Sequence, residues 1–296
     1  MKFERILFPT DFSDHAAHAQ GFALDLARQY KAELHIIHVV QLFSYVVDFG
    51  MDTTVQYEAV HHTLQKMMDE LAASLSGEPM PVRAELVQGN AVAEIIRIAR
   101  EDRSDLIVLG THGRSALEHA LLGSVAEKVV RHCHTSVLVA RPPIIDEHGF
   151  RNILVPTDFG DSAERALEQA AMLAASDASI DILHCWQTSE LVNGTIDPVA
   201  VSSASAALVE EITRDAQRSG EQWVAKAASG GHNVAFHMHE GRPTHGVLSF
   251  IEDSQRPYDL VAVGTHGRTG IKRFLLGSVA ETTVRYAPCS VLVTRG

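Results

Sequence analysis

The sequence predicts an α/β protein of two tandem domains, each with a doubly wound, five-stranded parallel sheet. The chain has 296 residues, a length that suits two domains of ordinary size. Long segments of the first half recur in the second half, so the two domains are expected to be copies of one fold. Within each copy, short apolar segments alternate with segments of helical periodicity. This pattern is typical of a parallel sheet covered by helices on both faces.

The internal repeat also predicts the domain boundaries. Four segments return nearly unchanged: residues 5–12 as 151–159, 110–114 as 264–268, 121–127 as 275–281, and 136–139 as 290–293. Pro142 and Pro143 suit a linker, because two prolines cannot continue a helix or a central strand. We therefore predict a first domain over residues 1–141, a linker over 142–150 and a second domain over 151–296.

Each strand is expected at a short apolar segment, and each helix where apolar residues repeat with helical spacing. In the first copy the strands are expected near residues 6–8, 34–40, 82–87, 106–109 and 136–139, and the first stops at Pro9. Helices are expected over residues 13–30, 55–76, 91–101 and 124–132. The second copy predicts strands near residues 153–155, 180–185, 234–239, 260–263 and 290–293. In such a fold, ligands bind beyond the carboxyl ends of the strands.

The composition argues against several function classes. Asp and Glu number 37 against 25 Lys and Arg, and the net charge of −12 argues against a general nucleic-acid-binding face. No apolar stretch approaches the ~18–20 residues of a membrane span, and the first residues lack the features of a signal peptide. The three cysteines are too few for a disulfide scaffold, so a reducing cytoplasm is the expected compartment.

The most specific motif follows the fourth predicted strand of each copy. Gly110 and Gly113 are followed, after nine residues, by Gly123 and Ser124, and the same spacing recurs in Gly264, Gly267, Gly277 and Ser278. Gly110 would let the chain turn off the strand, and Gly113 would let backbone amides approach a ligand. Gly123-Ser124 would open a helix whose positive end attracts an anion. The motif therefore predicts a phosphate site made mostly of backbone, although its spacing matches neither GxxxxGK[ST] nor GxGxxG.

A purely structural role is the alternative for these residues. Ser124 and Ser278 each stand three residues before a glutamate, the spacing of a capping box, so either serine could simply cap its helix. Asp11 and Asp158, just beyond the first strand of each copy, could accept hydrogen bonds from ribose hydroxyls or an adenine amino group, or could cap the next helix. Because these residues occur at neighbouring strand ends in both copies, we favour phosphate binding.

Both halves resemble the universal stress protein family over nearly the whole chain. The resemblance rests on Pro-Thr-Asp-Phe after the first strand, on the glycine motif and on the final Ser-Val-Leu-Val strand. It implies Rossmann-like domains of the nucleotide-binding branch, which holds ATP at the strand ends. Mg²⁺ is expected with it, since polyphosphates usually carry this ion. The family pairs subunits through the last strand, which implies an intramolecular pseudo-dimer here, with a homodimer as the alternative.

The resemblance also implies which residues form the two sites. Those expected to contact adenine and ribose in the first copy are Pro9, Thr10, Asp11 and Val39. Those expected to hold the ribose and phosphates are Gly110, Gly113, Gly123, Ser124 and Val125. The corresponding residues of the second copy are Pro156, Thr157, Asp158, Cys185, Gly264, Gly267, Gly277, Ser278 and Val279. Cys185 replaces the more usual valine, and a small apolar thiol can still pack on a purine.

The two predicted sites differ in charge. Between its glycines the second copy has Lys272 and Arg273, where the first has Glu118 and His119. If these side chains face the phosphates, Glu118 repels where Lys272 attracts, by about 1 kcal/mol or more. We therefore expect the second site to bind ATP more tightly. The alternative is that these side chains are solvated and irrelevant, because exposed pairs contribute little.

The sequence contains no catalytic set that can be named. We identify no nucleophile elbow, no P-loop lysine, no general base for water attack and no cluster with metal-ligand spacing. We therefore predict a cytoplasmic, ATP-binding stress-response or regulatory protein in which any ATP hydrolysis is slow. Two alternatives stay open: a slow ATPase or nucleotide-transferring enzyme, and an interaction scaffold whose sites no longer bind nucleotide.

Overall fold

Each half of the chain folds around its own parallel sheet. The computed structural model describes residues 2–41, 53–111, 122–142, 149–187, 201–265 and 276–295. The chain divides into two compact units, Met1–Glu147 and His148–Gly296. Within the described ranges, no helix combines the length and the apolar character needed to cross a bilayer. The limits that we predict for the linker and the pairing of the two final strands stay predictions.

The first unit alternates strands and helices as predicted. Its strands are β1 (Arg5–Pro9), β2 (Glu33–Val40), β3 (Val82–Gln88), β4 (Leu106–Gly110) and β5 (Ser136–Ala140). Its described helices are α1 (Asp14–Tyr30), α2 (Thr53–Ser74), α3 (Ala91–Glu101) and α4 (Ser124–His132). The strands lie side by side in the order β3-β2-β1-β4-β5, and every neighbouring pair is parallel.

The second unit repeats this arrangement. Its strands are β6 (Phe150–Pro156), β7 (Ala174–Trp186), β8 (Asn233–Glu240), β9 (Leu260–Gly264) and β10 (Ser290–Thr294). Its described helices are α5 (Asp161–Leu173), α6 (Val201–Ala228), α7 (Pro243–Glu252) and α8 (Ser278–Tyr286). The strand order β8-β7-β6-β9-β10 is that of the first unit, again with parallel pairs. The predicted tandem α/β fold is therefore confirmed.

The strand order places a crevice at the carboxyl ends of the first and fourth strands of each unit. β1 lies between β2 and β4, so the chain leaves β1 towards one edge of the sheet and returns through β4 on the other side. This is the switch point at which doubly wound folds bind ligands. β2 continues beyond β1: Pro9 pairs with Ile37, whereas Val39 pairs with Val87 of β3. Val39 therefore borders the loop that follows β1.

Burial explains why the central strands are apolar along their whole length. Ile6, Leu7 and Phe8 of β1 are fully buried, although successive side chains of a strand point to opposite faces. Both faces of the sheet must therefore be covered by helices. α1 begins after Ser13, whose hydroxyl oxygen accepts a hydrogen bond from the Ala16 amide at 3.2 Å. These local signals fix the elements that carry the candidate site.

A buried polar position near the amino-terminal end of the sheet holds a basic residue in the first unit and an acidic residue in the second. His35 of β2 pairs with Leu7, and Asp181 of β7 pairs with Leu154, and the two leucines occupy equivalent places in the repeat. His35 Nδ1 lies 2.5 Å from Asp102 Oδ2. In the second unit, Asp181 Oδ2 lies 3.0 Å from Arg256 Nη2.

The partners of these two residues correspond as well. Asp102 stands three residues before Asp105, whose carboxylate accepts the amide of Arg5, and Arg256 stands three residues before Asp259, which accepts the amide of Arg151. On the neighbouring strands, Glu85 pairs with Ile37 and His237 pairs with Leu183. His35 Nε2 lies 3.3 Å from Glu85 Oε2, and His237 Nε2 lies 3.1 Å from Asp181 Oδ1. At three linked positions, acidic and basic residues have thus exchanged places, and each acidic side chain still faces a basic one.

Candidate functional site

The loop after β1 has a fixed and strained conformation. The amide of Thr10 donates to the carbonyl of Ile37 at 2.8 Å, and the Thr10 hydroxyl oxygen accepts the amide of Phe12 at 3.1 Å. Phe12 has a φ of 59°, in the left-handed region that is costly for a bulky side chain. Asp11 Oδ1 accepts hydrogen bonds from the amide and the hydroxyl of Ser13, at 3.1 and 2.6 Å.

The second unit builds the same loop after β6. The amide of Thr157 donates to the carbonyl of Leu183, and its hydroxyl oxygen accepts the amide of Phe159, both at 2.8 Å. Phe159 has a φ of 61°. Asp158 Oδ1 accepts the amide of Gly160 at 3.0 Å. The same unfavourable backbone conformation in both copies points to a loop that is selected for its shape, because such strain concentrates at functional sites.

Neither aspartate is itself the N-cap residue of the following helix. The N-cap of α1 is Ser13, and Asp11 bonds to that serine; the N-cap of α5 is Gly160, and Asp158 bonds to its amide. The capping alternative is therefore wrong in its simple form. Each carboxylate fixes the residue at which the helix starts, and both aspartates lie partly exposed at the crevice.

The first glycine of each glycine motif serves a close approach of backbone. A Cβ atom on Gly110 would lie 2.8 Å from the carbonyl oxygen of His15, and one on Gly264 would lie 2.6 Å from the carbonyl carbon of Ser162. β4 and β9 end at these glycines, but neither has a positive φ, so the left-handed conformation is not what requires a glycine here. The glycines instead let β4 and β9 pack against the first turns of α1 and α5.

A backbone hydrogen bond closes the glycine loop in each unit. The amide of Gly123 donates to the carbonyl of Thr111 at 2.6 Å, and the amide of Gly277 donates to the carbonyl of Thr265 at 2.8 Å. The carbonyl of Gly123 then accepts the amide of Glu127 at 2.9 Å. This contact spans the motif and sets the residue at which the helix starts.

The serines of the motif are not helix caps. The N-caps of α4 and α8 are Gly123 and Gly277, so Ser124 and Ser278 are the first helical residues, and the capping-box alternative is wrong. Both serines are exposed, and within the described residues no side chain accepts their amides. A helix that starts at a glycine leaves its first N–H groups available to an anion. Each of the two helices therefore begins at the crevice with a glycine N-cap that provides no side-chain acceptor for the first amides.

The family follows from matches along both units. Residues 2–141 and 149–295 each match the model of the universal stress protein family. The chain belongs to the universal stress protein family. A universal stress protein of Methanocaldococcus jannaschii is 32% identical over 145 residues, which are 48% of this chain and 84% of that protein. One of Mycobacterium tuberculosis is 30% identical over 240 residues, which are 76% of this chain and 69% of that protein.

A solved structure shows the same fold along the whole chain. The crystal structure of a universal stress protein from Archaeoglobus fulgidus covers 99% of this chain and 97% of its own, at 21% identity and a TM-score of 0.67. A structure from Pseudomonas aeruginosa, named a putative universal stress protein, covers 99% of this chain and 93% of its own, at 18% identity and a TM-score of 0.65. The tandem universal stress protein fold is therefore shown for this chain.

The apolar edge of each universal stress protein site lies on the second strand. Val39 and Cys185 are both partly buried, two residues beyond the last residue that pairs with the first strand. Burial raises the pKa of the Cys185 thiol to about 12, so this thiol is neutral at physiological pH. A Cβ on Gly246 of α7 would lie 3.0 Å from its sulfur. Cys185 therefore occupies the position of Val39 in the second unit, as a small apolar side chain.

Some predicted site residues lie outside the described residues. They are Gly113 and Gly267, the second glycines of the motifs, and the charged residues Glu118, His119, Lys272 and Arg273. The remaining predicted residues lie at the carboxyl ends of the first, second and fourth strands or at the start of the final helix of each unit. The structure thus brings them to the same end of each sheet.

Sequence reasoning missed two histidines that touch the first loop. His38 Nδ1 lies 2.7 Å from the carbonyl oxygen of Thr10, and His184 Nδ1 lies 2.9 Å from that of Thr157. The signal was present, because both second strands have a histidine one residue before the predicted Val39 and Cys185. A histidine inside an apolar strand gives no indication of its partner until the neighbouring loop is seen.

Proposed function

We propose that this universal stress protein is a cytoplasmic, ATP-binding regulatory protein with one nucleotide site in each unit. The observation that carries the proposal is the duplication of a site built from backbone. Both units have a strained Pro-Thr-Asp-Phe loop, a glycine packed against a helix backbone and a helix that begins at a glycine N-cap at the same switch point. Two copies that kept only their core packing would have no reason to keep these features together.

The proposed ligand fits the chemistry of these groups. The first amides of α4 and α8 and the exposed hydroxyls of Ser124 and Ser278 are donors, suited to phosphate oxygens. Asp11 and Asp158 offer carboxylate oxygens, suited to ribose hydroxyls. Val39 and Cys185 offer apolar surface to a purine. Mg²⁺ would accompany the polyphosphate and neutralise part of its charge.

Nucleotide binding would act on the protein by ordering the glycine loops. A ligand that bridges the first loop and the start of the last helix of a unit stabilises the conformation in which both are in place. The surface that a partner contacts would then depend on nucleotide. This regulatory role rests on binding and not on turnover.

The proposal is tested first by the nucleotide content of the purified chain. After denaturation, anion-exchange chromatography of the supernatant should release ATP, up to one equivalent for each unit. If neither co-purified nor added ATP with Mg²⁺ binds, the proposal is overturned and the scaffold alternative remains. Steady turnover of ATP by a contaminant-free preparation would instead favour the slow ATPase.

Two charge substitutions then locate the sites. Ser124→Glu and Ser278→Glu place a carboxylate at the first helical position, where it suits the helix dipole but repels phosphate. Each should abolish or weaken ATP binding in its own unit by about tenfold or more, equal to 1.4 kcal/mol, in isothermal titration calorimetry. Ser76→Glu adds the same charge at an exposed turn and is the matched control. Equal affinities for all three variants would place the nucleotide elsewhere.

A further inference from the structure

A histidine reaches the strained loop in each unit through the same atom. The carbonyl oxygens of Thr10 and Thr157 can only accept, so Nδ1 of His38 and His184 donates, at 2.7 and 2.9 Å. In both units the carbonyl belongs to the threonine before the aspartate of the predicted site. The histidine is therefore tied to the loop backbone and not to the core alone.

The same imidazole rings also touch the residue with the unfavourable φ. The ring centroids of His38 and Phe12 are 5.0 Å apart, and those of His184 and Phe159 are 4.8 Å apart. A left-handed phenylalanine persists only where its surroundings hold it. Each histidine thus restrains the loop at two points, on either side of the intervening aspartate.

We propose that His38 and His184 are positioning residues for the nucleotide sites. By holding the threonine carbonyl and the phenylalanine ring, each fixes the aspartate carboxylate between them in the orientation that a ribose requires. This inference rests on the proposed function. It adds a second layer to each site, made of a residue that does not touch the ligand.

The second unit gives the clearer test, because His184 is only partly buried. His184→Leu keeps the side-chain volume roughly but removes the N–H donor. His184→Asn restores an N–H donor close to the position of Nδ1. If the histidine only filled space, leucine and asparagine would have the same effect on the loop. If its N–H holds the threonine carbonyl, only asparagine should preserve the loop.

Two measurements on the full chain read out the position of the loop. Hydrogen exchange followed by mass spectrometry reports the amides of Phe159 and Gly160, which are bonded to Thr157 Oγ1 and Asp158 Oδ1. Calorimetric titration with ATP and Mg²⁺ in the Ser124→Glu background reports the second site. We expect His184→Leu to speed loop exchange and to weaken ATP binding by about tenfold, equal to 1.4 kcal/mol. We expect His184→Asn to recover most of both.

Controls come from the chain itself. His35→Asn changes a buried histidine of the other unit that bonds to Asp102, and it should leave both readouts of the second site unchanged. His38→Asn and His38→Leu repeat the comparison in the first unit, with Ser278→Glu as the background.

Two results overturn the inference. One is unchanged loop exchange in His184→Leu, and the other is unchanged ATP affinity in a variant whose loop has loosened. If the wild-type chain binds no ATP, the proposed function fails, and the inferred role in positioning a nucleotide fails with it. The exchange data then decide separately whether the histidines hold the loop.

Discussion

At the scale of single residues, the first glycine of each motif is required for space and not for backbone freedom. Gly110 and Gly264 sit where the sheet meets the first turn of a helix, and a Cβ on either would meet backbone atoms at 2.8 Å or less, joined at Gly264 by the Ser162 hydroxyl. Backbone cannot move aside as a flexible side chain can. The motif therefore serves packing at its first position and, in the proposed function, ligand binding at its last.

Substitution of this glycine by alanine should destabilise the chain. Gly264→Ala would place Cβ 2.6 Å from the backbone of Ser162, so a loss of about 1–3 kcal/mol in the free energy of unfolding is expected. Gly21→Ala is the matched control, since its Cβ would meet nothing within 4 Å in the middle of α1. That variant should gain about 0.5–1 kcal/mol. Urea denaturation measures both, and a Gly264→Ala chain as stable as wild type would contradict the contact.

A second residue-scale prediction concerns the pH dependence of stability through Asp102. Partial burial raises the pKa of its carboxyl, but the hydrogen bonds and charges of Arg83 and His35 outweigh this effect and lower the pKa below 3.8. Glu85 on β3 and Arg5 on β1 are the other charged groups at this cluster. A lowered pKa means that the ionised form stabilises the fold above the unfolded pKa and that this stability disappears as the pH falls through the folded pKa.

The Asp102→Asn variant tests this sign. The variant should have a free energy of unfolding about 1 kcal/mol or more below that of the wild type at pH 7. This difference in stability should shrink as the pH falls below about 4. Asp25→Asn removes an exposed ion pair within α1 and should change stability little at any pH. Urea denaturation from pH 3 to 7 measures both variants. A cost for Asp102→Asn that persists unchanged at low pH would contradict the ionic contribution.

At the scale of elements, the cluster around His35 and its counterpart around Asp181, together called the charge-reversed cluster, show how two copies of one sheet keep the same contact with different residues. In the first unit the buried His35 faces two carboxylates, whereas in the second the buried carboxylate of Asp181 faces an arginine, a histidine and the Tyr258 hydroxyl. The strand register is identical, so only the side chains have exchanged roles. Such a cluster is stable only as a set, because an unpaired buried charge is costly.

Transplanting one member of the cluster should therefore fail where transplanting the set succeeds. Arg83→Ala is introduced first, because the second unit has Ala235 at that place. In this background, the new carboxylate of His35→Asp would face the carboxylates of Asp102 and Glu85. The free energy of unfolding should therefore fall by about 3 kcal/mol or more. Adding Asp102→Arg, Glu85→His and Ser104→Tyr, the counterparts of Arg256, His237 and Tyr258, reproduces the residues that bond to Asp181 and should recover most of that lost free energy of unfolding. Thermal unfolding measures each step, and additive losses without recovery would show that the positions are independent.

The elements themselves were predictable from local sequence, and the contacts between them were not. The strands followed from short apolar segments, and α7 begins at Pro243, in agreement with the preference of proline for a first helical turn. The start of α4 at Ser124 is as predicted, but the hydrogen bond that joins the Gly123 amide to the carbonyl of Thr111 across the glycine loop was not. The roles of Gly110, His38 and His35 depend on partners far along the chain, which no local pattern contains.

At the scale of the whole molecule, duplication gives the chain two sites that can differ in affinity. The described parts of the two loops share their hydrogen bonds and their strained phenylalanine. The difference in charge that the sequence indicates lies instead in residues outside the described ranges. Any functional asymmetry between the units should therefore arise from these side chains and from Cys185.

Exchanging the charges tests this expectation. With the other site blocked by Ser124→Glu or Ser278→Glu, the second site should bind ATP about fivefold more tightly than the first, equal to about 1 kcal/mol. Lys272→Glu should weaken the second site and Glu118→Lys should strengthen the first, by similar factors. Calorimetric titration at low and high salt measures these affinities, and equal binding by the two isolated sites would refute the asymmetry.

The charge-reversed cluster also constrains the history of the duplicated gene. His35 and Asp181, its central residues, have side chains only 6% and 12% exposed, whereas Glu85 and Arg256 are 51% and 45% exposed. A mutation at an exposed partner is tolerated, because water screens the unpaired charge. A mutation at the central position is tolerated only after its partners have changed. A path of single substitutions between the two arrangements would therefore lose least stability if it began at the exposed partners and reached the central position last.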